Sequence, residues 1–255
     1  MSLINVSNLS FAYEGSYDTI FENVSFQIDT NWKLGLVGRN GRGKTTFLNL
    51  LTGRYPFKGT ISANVGFDYF PFTPPQPDRQ TIQILRQLCP TGEDWQFICE
   101  LSRMEIDGDA LYRPFSILSN GEQTKVMLAA LFLEENRFLL IDEPTNHLDG
   151  KGRSLVSRYL RSKKGFILVS HDRAFLDGCV DHILSINRTD IQLQKGNFSS
   201  WYQNKHLRDK FEQAENQKLQ RDIKRLSTAA AQAHQWADKV ESTKIGKKPL
   251  IHEKN

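Results

Sequence analysis

Gly38-Arg39-Asn40-Gly41-Arg42-Gly43-Lys44-Thr45 is the stretch on which the reading of this chain turns. It matches G-x-x-x-x-G-K-[ST] and lies between an apolar run, Lys33–Val37, and a segment through Leu51 expected to be helical. Glycines at that spacing let backbone N–H groups turn inward around phosphate oxygens, and the start of the next helix adds the positive end of its dipole. Lys44 has the reach for β- and γ-phosphates, the Thr45 hydroxyl suits magnesium, and Thr46 is a further nucleotide contact. The loop therefore predicts a bound polyphosphate with Mg2+.

Downstream, the apolar run Phe138–Ile141 ends in two carboxylates, Asp142 and Glu143. Phosphoryl transfer needs a neutralising metal and an oriented nucleophile, so Asp142 is the expected metal ligand and Glu143 the group that polarises the attacking water. Between the two motifs lies Leu118-Ser119-Asn120-Gly121-Glu122-Gln123, opening a helix through Leu133. Ser119 and the backbone of Gly121 make an anion site at a helix start, or equally a plain N-cap with Glu122 near the dipole. After the acidic pair come Asn146-His147-Leu148-Asp149, and after the apolar strand Phe166–Ser170 comes His171. Alone, each of these has a bland structural explanation; it is their order and spacing that decides.

The surrounding pattern is α/β. Leu3–Tyr13, Phe21–Ile28, Lys33–Val37, Gly59–Ser62 and Val65–Phe70 are short β-branched or aromatic runs separated by Gly, Asp and Asn. The Pro-rich stretch 72–80 reads as a surface loop, and helical spacing follows over 80–102 and again over 121–135. Arg137–Asp142 and Gly165–Ser170 are buried-strand runs around a helix at Gly152–Arg161, and Asp181–Ile186 with Ile191–Gln194 is a closing hairpin. Beyond Trp201, Gly and Pro vanish until Gly246, and Leu207, Phe211 and Ala214, then Leu219, Ile223, Leu226, Ala230, Ala233, Ala237 and Val240 recur at mostly 3/4 spacing. That predicts a long amphipathic helix to about residue 240, then an irregular basic segment, Lys244–Asn255.

With 255 residues, 39% hydrophobic, the chain has material for a real core, which excludes disorder and a disulfide miniprotein. Its apolar runs fall far short of the ~20 residues that span a bilayer. The N-terminus has no secretory pattern, and Cys89, Cys99 and Cys179 lack paired ligand spacing, so reduced thiols in a cytoplasmic protein without membrane insertion are expected. Residues 1–200 carry 21 basic and 22 acidic side chains, whereas 201–255 carry 12 and 7. The basic excess in the extension suits an anionic partner, although a solvated charged helix is the commoner cause of such a bias.

Over residues 1–200 these motifs together resemble the ATP-binding cassette ATPases. The resemblance implies a nucleotide-binding domain with a β-rich N-terminal part, a RecA-like core and an inserted helical subdomain at about 80–135. It makes Gly38–Thr45 the Walker A loop, Asp142 and Glu143 the Walker B aspartate and catalytic glutamate, and Ser119–Glu122 the heart of a signature loop that acts on a partner cassette's ATP. Asn146–Asp149 becomes the D-loop, His171 the switch histidine, and Tyr13, 25 positions before Gly38, the aromatic that stacks on adenine. Two positions depart from the pattern: Phe72 stands where the family's Q-loop has glutamine, with Gln76 a poor substitute displaced into the Pro-rich loop, and Asn120 replaces the first signature glycine.

The runs DEPTNHLD and SHDRAFLD, and the charged helix after GNFSSWY, are similar to the ABC-F class. Asn31–Gly35, Tyr69–Phe72 and Tyr112–Phe115 resemble its Lsa/Vga-type antibiotic-resistance members more narrowly. The resemblance implies two cassettes acting together, of which this sequence covers the first plus the start of the interdomain linker (201–255). It further implies a bacterial 70S ribosome as partner, with rRNA and the P-site tRNA near the linker, and dislodging of lincosamides, pleuromutilins or streptogramin A. A transporter ATPase subunit and an ATP-binding module without turnover are the alternatives. Trp201, Tyr202 and Trp236 are either RNA-stacking groups or packing groups that hold the helix to the cassette.

Overall fold

The computed structural model describes residues 2–16, 18–187 and 191–245. Two compact units meet between Trp201 and Tyr202. The first opens with β1 (Leu3–Ala12), β2 (Thr19–Asp29) and β3 (Lys33–Val37), followed by α1 (Lys44–Leu51), β4 (Lys58–Ser62) and β5 (Gly66–Phe70). Three helices come next, α2 (Thr81–Leu88), α3 (Asp94–Arg103) and α4 (Asn120–Leu131), with two 3-10 turns before α4. The unit closes with β6 (Arg137–Asp142), α5 (Gly150–Ser162), β7 (Phe166–Val169), α6 (Arg173–Cys179), β8 (His182–Ile186) and β9 (Ile191–Lys195), and α7 (Phe198–Ile245) leaves it.

Two sheets organise these elements. β2-β1-β4 is antiparallel, and β5-β6-β7-β3-β8-β9 is parallel except for the β8–β9 hairpin. The central strands β6 and β7 are buried along almost their whole length, as their unbroken apolar runs require of strands covered on both faces. β3 lies between β7 and β8, so the C-terminal ends of β3, β6 and β7 open side by side at one edge, where open α/β sheets bind ligands. One core packs α1 against both sheets, with Phe47 and Leu48 fully buried. Losing the Phe47 ring would cost about 3–5 kcal/mol, and with it the anchor of the loop that α1 continues.

A larger core joins α2, α3 and α4 to the other face of the parallel sheet. Glu100 on α3 is almost fully buried there and accepts hydrogen bonds from the Tyr159 hydroxyl and Lys163 of the α5 end and from Arg103 at 2.7 Å. Burial pulls the Lys163 ammonium below its ordinary range and raises the Tyr159 phenol. Cys89 and Cys179 are buried, and Cys99 on α3 is exposed.

Several boundaries differ from the sequence expectation. The helical stretch expected over 80–102 is broken at Cys89–Glu93, where Pro90 and Gly92 end one helix, and a Glu93/Gln96 capping box starts the next. α4 stops at Leu131, short of 135. α6, seven residues capped by Asp172, was not anticipated, because one short turn-rich segment carries little periodicity. The last helix begins at Phe198 and runs to Ile245, so Lys244 and Ile245 belong to it; the rest of the expected irregular segment lies outside the described residues.

Trp201 is 8% exposed and packs in the larger core beside Phe198, which is the packing alternative for this residue. Ser199 donates its backbone N–H to Asp177 Oδ1 at 2.7 Å, fastening the start of α7. Further along, Leu207, Phe211, Leu219, Ile223, Leu226 and Val240 of the apolar stripe read from the sequence are all exposed, as is Trp236.

Candidate active site

β3 ends at Val37 and the chain curls through Gly38–Gly43 into α1. Gly41 and Gly43 have φ of 76° and 86°, a left-handed backbone that glycine adopts without penalty. At Gly43 a Cβ would also lie 2.5 Å from Ile20 Cγ2, and at Gly38 2.8 Å from the Ile186 carbonyl, so both positions need glycine for space. Arg39 and Arg42 supply backbone, joined by an Arg42 N–H to Arg39 carbonyl bond of 3.2 Å. Lys44 Nζ donates to the Gly38 carbonyl at 3.0 Å and the Arg39 carbonyl at 3.4 Å, which holds the ammonium inside the curve of the loop.

The strand ends bring the carboxylates to it. Thr45 donates its hydroxyl to Asp142 Oδ2 at 2.8 Å, and Tyr69, at the end of β5, donates to the same oxygen at 3.0 Å. Burial and the Asp142 charge raise the Tyr69 phenol, which keeps it a donor. Glu143 has φ of 50°, unusual for a side chain with a Cβ, and its N–H is tied to the Val169 carbonyl at 2.9 Å. Its Oε1 is buried without a hydrogen bond and lies 3.4 Å from His171 Nε2. That is an ion-pair distance without hydrogen-bond alignment. The Glu143 carboxyl is raised above the ordinary range by burial, against which the neighbouring His171 pulls it down.

Tyr13, Asn40, Gly41, Gly43 and Lys44–Thr46 share one cleft of 370 Å³ with Asp142, Glu143 and His171. Tyr13 keeps 41% of its surface, enough for a base to stack on, and its hydroxyl bonds Thr46 Oγ1 at 2.9 Å. The donor set suits the expected ligand: a glycine-rich loop and an ammonium for phosphates, a hydroxyl and a carboxylate for a hard cation. No cluster of three or more His, Cys, Asp or Glu able to hold a metal occurs among the described residues, so a cation here would draw its other ligands from nucleotide and water.

The signature residues do not line that cleft. Ser119 caps α4 in a closed box: its Oγ accepts the Glu122 N–H at 3.3 Å, while Glu122 Oε2 accepts from the Ser119 N–H at 2.9 Å and hydroxyl at 2.7 Å. These bonds lower the Glu122 carboxyl. A Cβ on Gly121 would lie 3.2 Å from the His147 carbonyl, so the helix start and the 146–149 loop approach closely. Ser119–Glu122 and His147–Asp149 line a cleft of their own, and Asp149 caps α5 through the Gly152 N–H at 2.7 Å. A third groove, lined by Thr45, Tyr69, Asn120, Glu143, Asn146 and His147 among others, runs between the two clefts. Phe72 turns against the larger core, and Gln76 is an exposed loop residue. Tyr69, not Phe72 or Gln76, is the residue of this segment that reaches Asp142. Sequence reading missed it, because only the parallel register of β5 on β6 reveals the approach.

Residues 21–146 match the family model described as ABC transporter. Ribosome protection protein VmlR of Bacillus subtilis (strain 168) is 29% identical over 246 residues, covering 95% of this chain and 42% of that protein. Energy-dependent translational throttle protein EttA of Haemophilus influenzae is 30% identical over 249 residues, 80% of this chain and 45% of that protein. ABC transporter F family member 5 of Arabidopsis thaliana is 28% identical, with 81% of this chain and 30% of that protein covered. The chain thus spans between 29% and 54% of the length of the first curated relatives it matches. Among solved structures, a chain of a metal-chelate type ABC transporter in an inward-facing conformation matches with a TM-score of 0.63 at 22% identity, covering 76% of this chain and 83% of that one. That likeness shows a shared fold.

Proposed function

We propose, from the premise that this chain carries an ATP-binding cassette ATPase domain of the nucleotide-binding-domain fold, that it works as one half of an ABC-F protein. In this reading it binds ATP, hydrolyses it when a second cassette closes the site, and acts on the bacterial 70S ribosome in the cytoplasm. The observation that carries the ribosomal part is the reach of the similarity. The match to a ribosome protection protein covers 95% of the chain, so it extends past the cassette into the basic helix α7. Among the described residues no helix is long and apolar enough to cross a membrane. The outcome proposed for the assembled protein is protection against lincosamide, pleuromutilin or streptogramin A antibiotics.

The residues divide the work as follows. Tyr13 stacks on the adenine, the Gly38–Gly43 backbone and Lys44 hold the phosphates, and Thr45 with Asp142 holds magnesium, which neutralises phosphate charge when bound. Lys44 exchanges the Gly38 and Arg39 carbonyls for phosphate oxygens. Glu143 takes the proton of the attacking water; its burial suits that role, because a carboxylate raised toward neutral pH is a better proton acceptor. His171, mostly exposed beside Glu143, faces the γ-phosphate. Ser119 and Gly121 lie outside this cleft, so they serve ATP held by another cassette, and a comparable loop must come to this one from outside.

Sedimentation of a Glu143→Gln variant with 70S ribosomes, with and without ATP, tests the proposal. Removing the proton acceptor should trap the ATP-bound form, and ATP-dependent pelleting is expected for this chain or for a chain extended by a second cassette. Pelleting by neither overturns the ribosomal reading.

A further inference from the structure

β5 and β6 are parallel, with Tyr69 opposite Leu140 and Phe70 opposite Ile141. Leu140 and Asp142 stand on one face of β6, so a side chain as long as tyrosine, starting opposite Leu140, extends to the carboxylate two residues on. The Tyr69 hydroxyl meets Asp142 Oδ2 at 3.0 Å, on the oxygen that Thr45 already occupies at 2.8 Å. Oδ1 has no hydrogen-bond donor among the described residues. The ring is itself held, because the Arg54 guanidinium lies 5.0 Å from its centroid and is fixed in turn by Asn49 Oδ1 at 3.2 Å.

We infer that Tyr69 is a positioning residue of the magnesium site, whose hydroxyl fixes the plane of the Asp142 carboxylate so that Oδ1 is presented to the cation or its water. The inference rests on the nucleotide site proposed above. Thr45 is itself a metal ligand, so its bond to Asp142 must adjust when a cation enters. Tyr69 is not a ligand, and its bond persists through that exchange. Outer hydrogen bonds of this kind set metal affinity far more than they set the affinity for the rest of the ligand. Neighbouring Phe72 offers no polar group for the task, since it packs against the core.

The test is a titration of a fluorescent ATP analogue by anisotropy, in EDTA and at increasing Mg2+, on the parent protein and on Tyr69→Phe. Affinity in EDTA should stay within about twofold, while the Mg2+ concentration for half-maximal enhancement rises about tenfold. An unchanged Mg2+ midpoint, or equal weakening with and without Mg2+, overturns the inference and leaves a purely structural tyrosine. A parent protein whose binding ignores Mg2+ overturns the nucleotide-site reading together with this one. If Tyr69→Phe does not fold, the same titration is made on Arg54→Met, which keeps the hydroxyl and removes the cation over the ring. A midpoint raised about twofold is then expected, and no rise overturns the inference.

Discussion

Glu143 carries two kinds of strain at once, a left-handed backbone and a carboxyl that burial holds above its ordinary range. A group whose folded pKa exceeds its unfolded one favours the fold fully below the ordinary carboxylate range, and that contribution is lost as pH rises through the raised value. Near neutral pH the ionised side chain therefore works against stability. Glu143→Gln should raise the melting temperature by about 2 °C at pH 7.5, with the gain shrinking as pH falls into the carboxylate range; calorimetry across pH 5–8 checks it. A gain that grows toward acid would contradict this sign. The motif residues of the site were legible in the sequence because each lies in a local pattern: Gly38–Thr45 between strand and helix, Asp142 and Glu143 at the end of an apolar run. Tyr69 was not. Its partner is 73 positions away, and the local pattern around it drew the reading to Phe72 and not to the tyrosine hydroxyl.

Besides the apolar core, α3 is joined to the end of α5 by a charge. Glu100 on α3 accepts from Tyr159 and Lys163 at the far end of α5, and all three side chains are largely out of water. Lys163→Met removes one of three donors to Glu100 and leaves Tyr159 and Arg103 in place, so it should cost about 1.5–3 kcal/mol in urea unfolding. The double change Glu100→Leu with Lys163→Met should cost less than the sum of the two single changes. Additive losses would mean that the pair is not coupled. Here the sequence was a partial guide. Strands β3 and β6 were located to the residue because buried parallel strands are unbroken apolar runs, and the parallel sheet order could not be read because it depends on which strands cross over. The break between α2 and α3 was signalled by Pro90 and Gly92, but apolar spacing continues across it, and periodicity alone bridges a gap of five residues.

Across the whole chain, stability is distributed unevenly. Up to Trp201 the side chains build two cores, and from Tyr202 the apolar stripe of α7 is exposed. A helix without tertiary burial opens with little cooperativity, so its hydrogen bonds are protected far less than those of a packed sheet. Hydrogen exchange followed by mass spectrometry should show amides between Leu207 and Val240 exchanging within minutes, while β3, β6 and β7 stay protected for hours. Uniform protection would mean that the stripe is covered in solution. The three thiols divide along similar lines. Cys179 is pushed up to about 12 by burial, Cys89 is raised and has no exposed surface, and Cys99 sits open on the outer side of α3. The chain therefore arrives with one native attachment point for a dye or spin label, on the helix that Glu100 couples to the core. Movement of the helical region against the sheet can be watched spectroscopically without engineering a single residue.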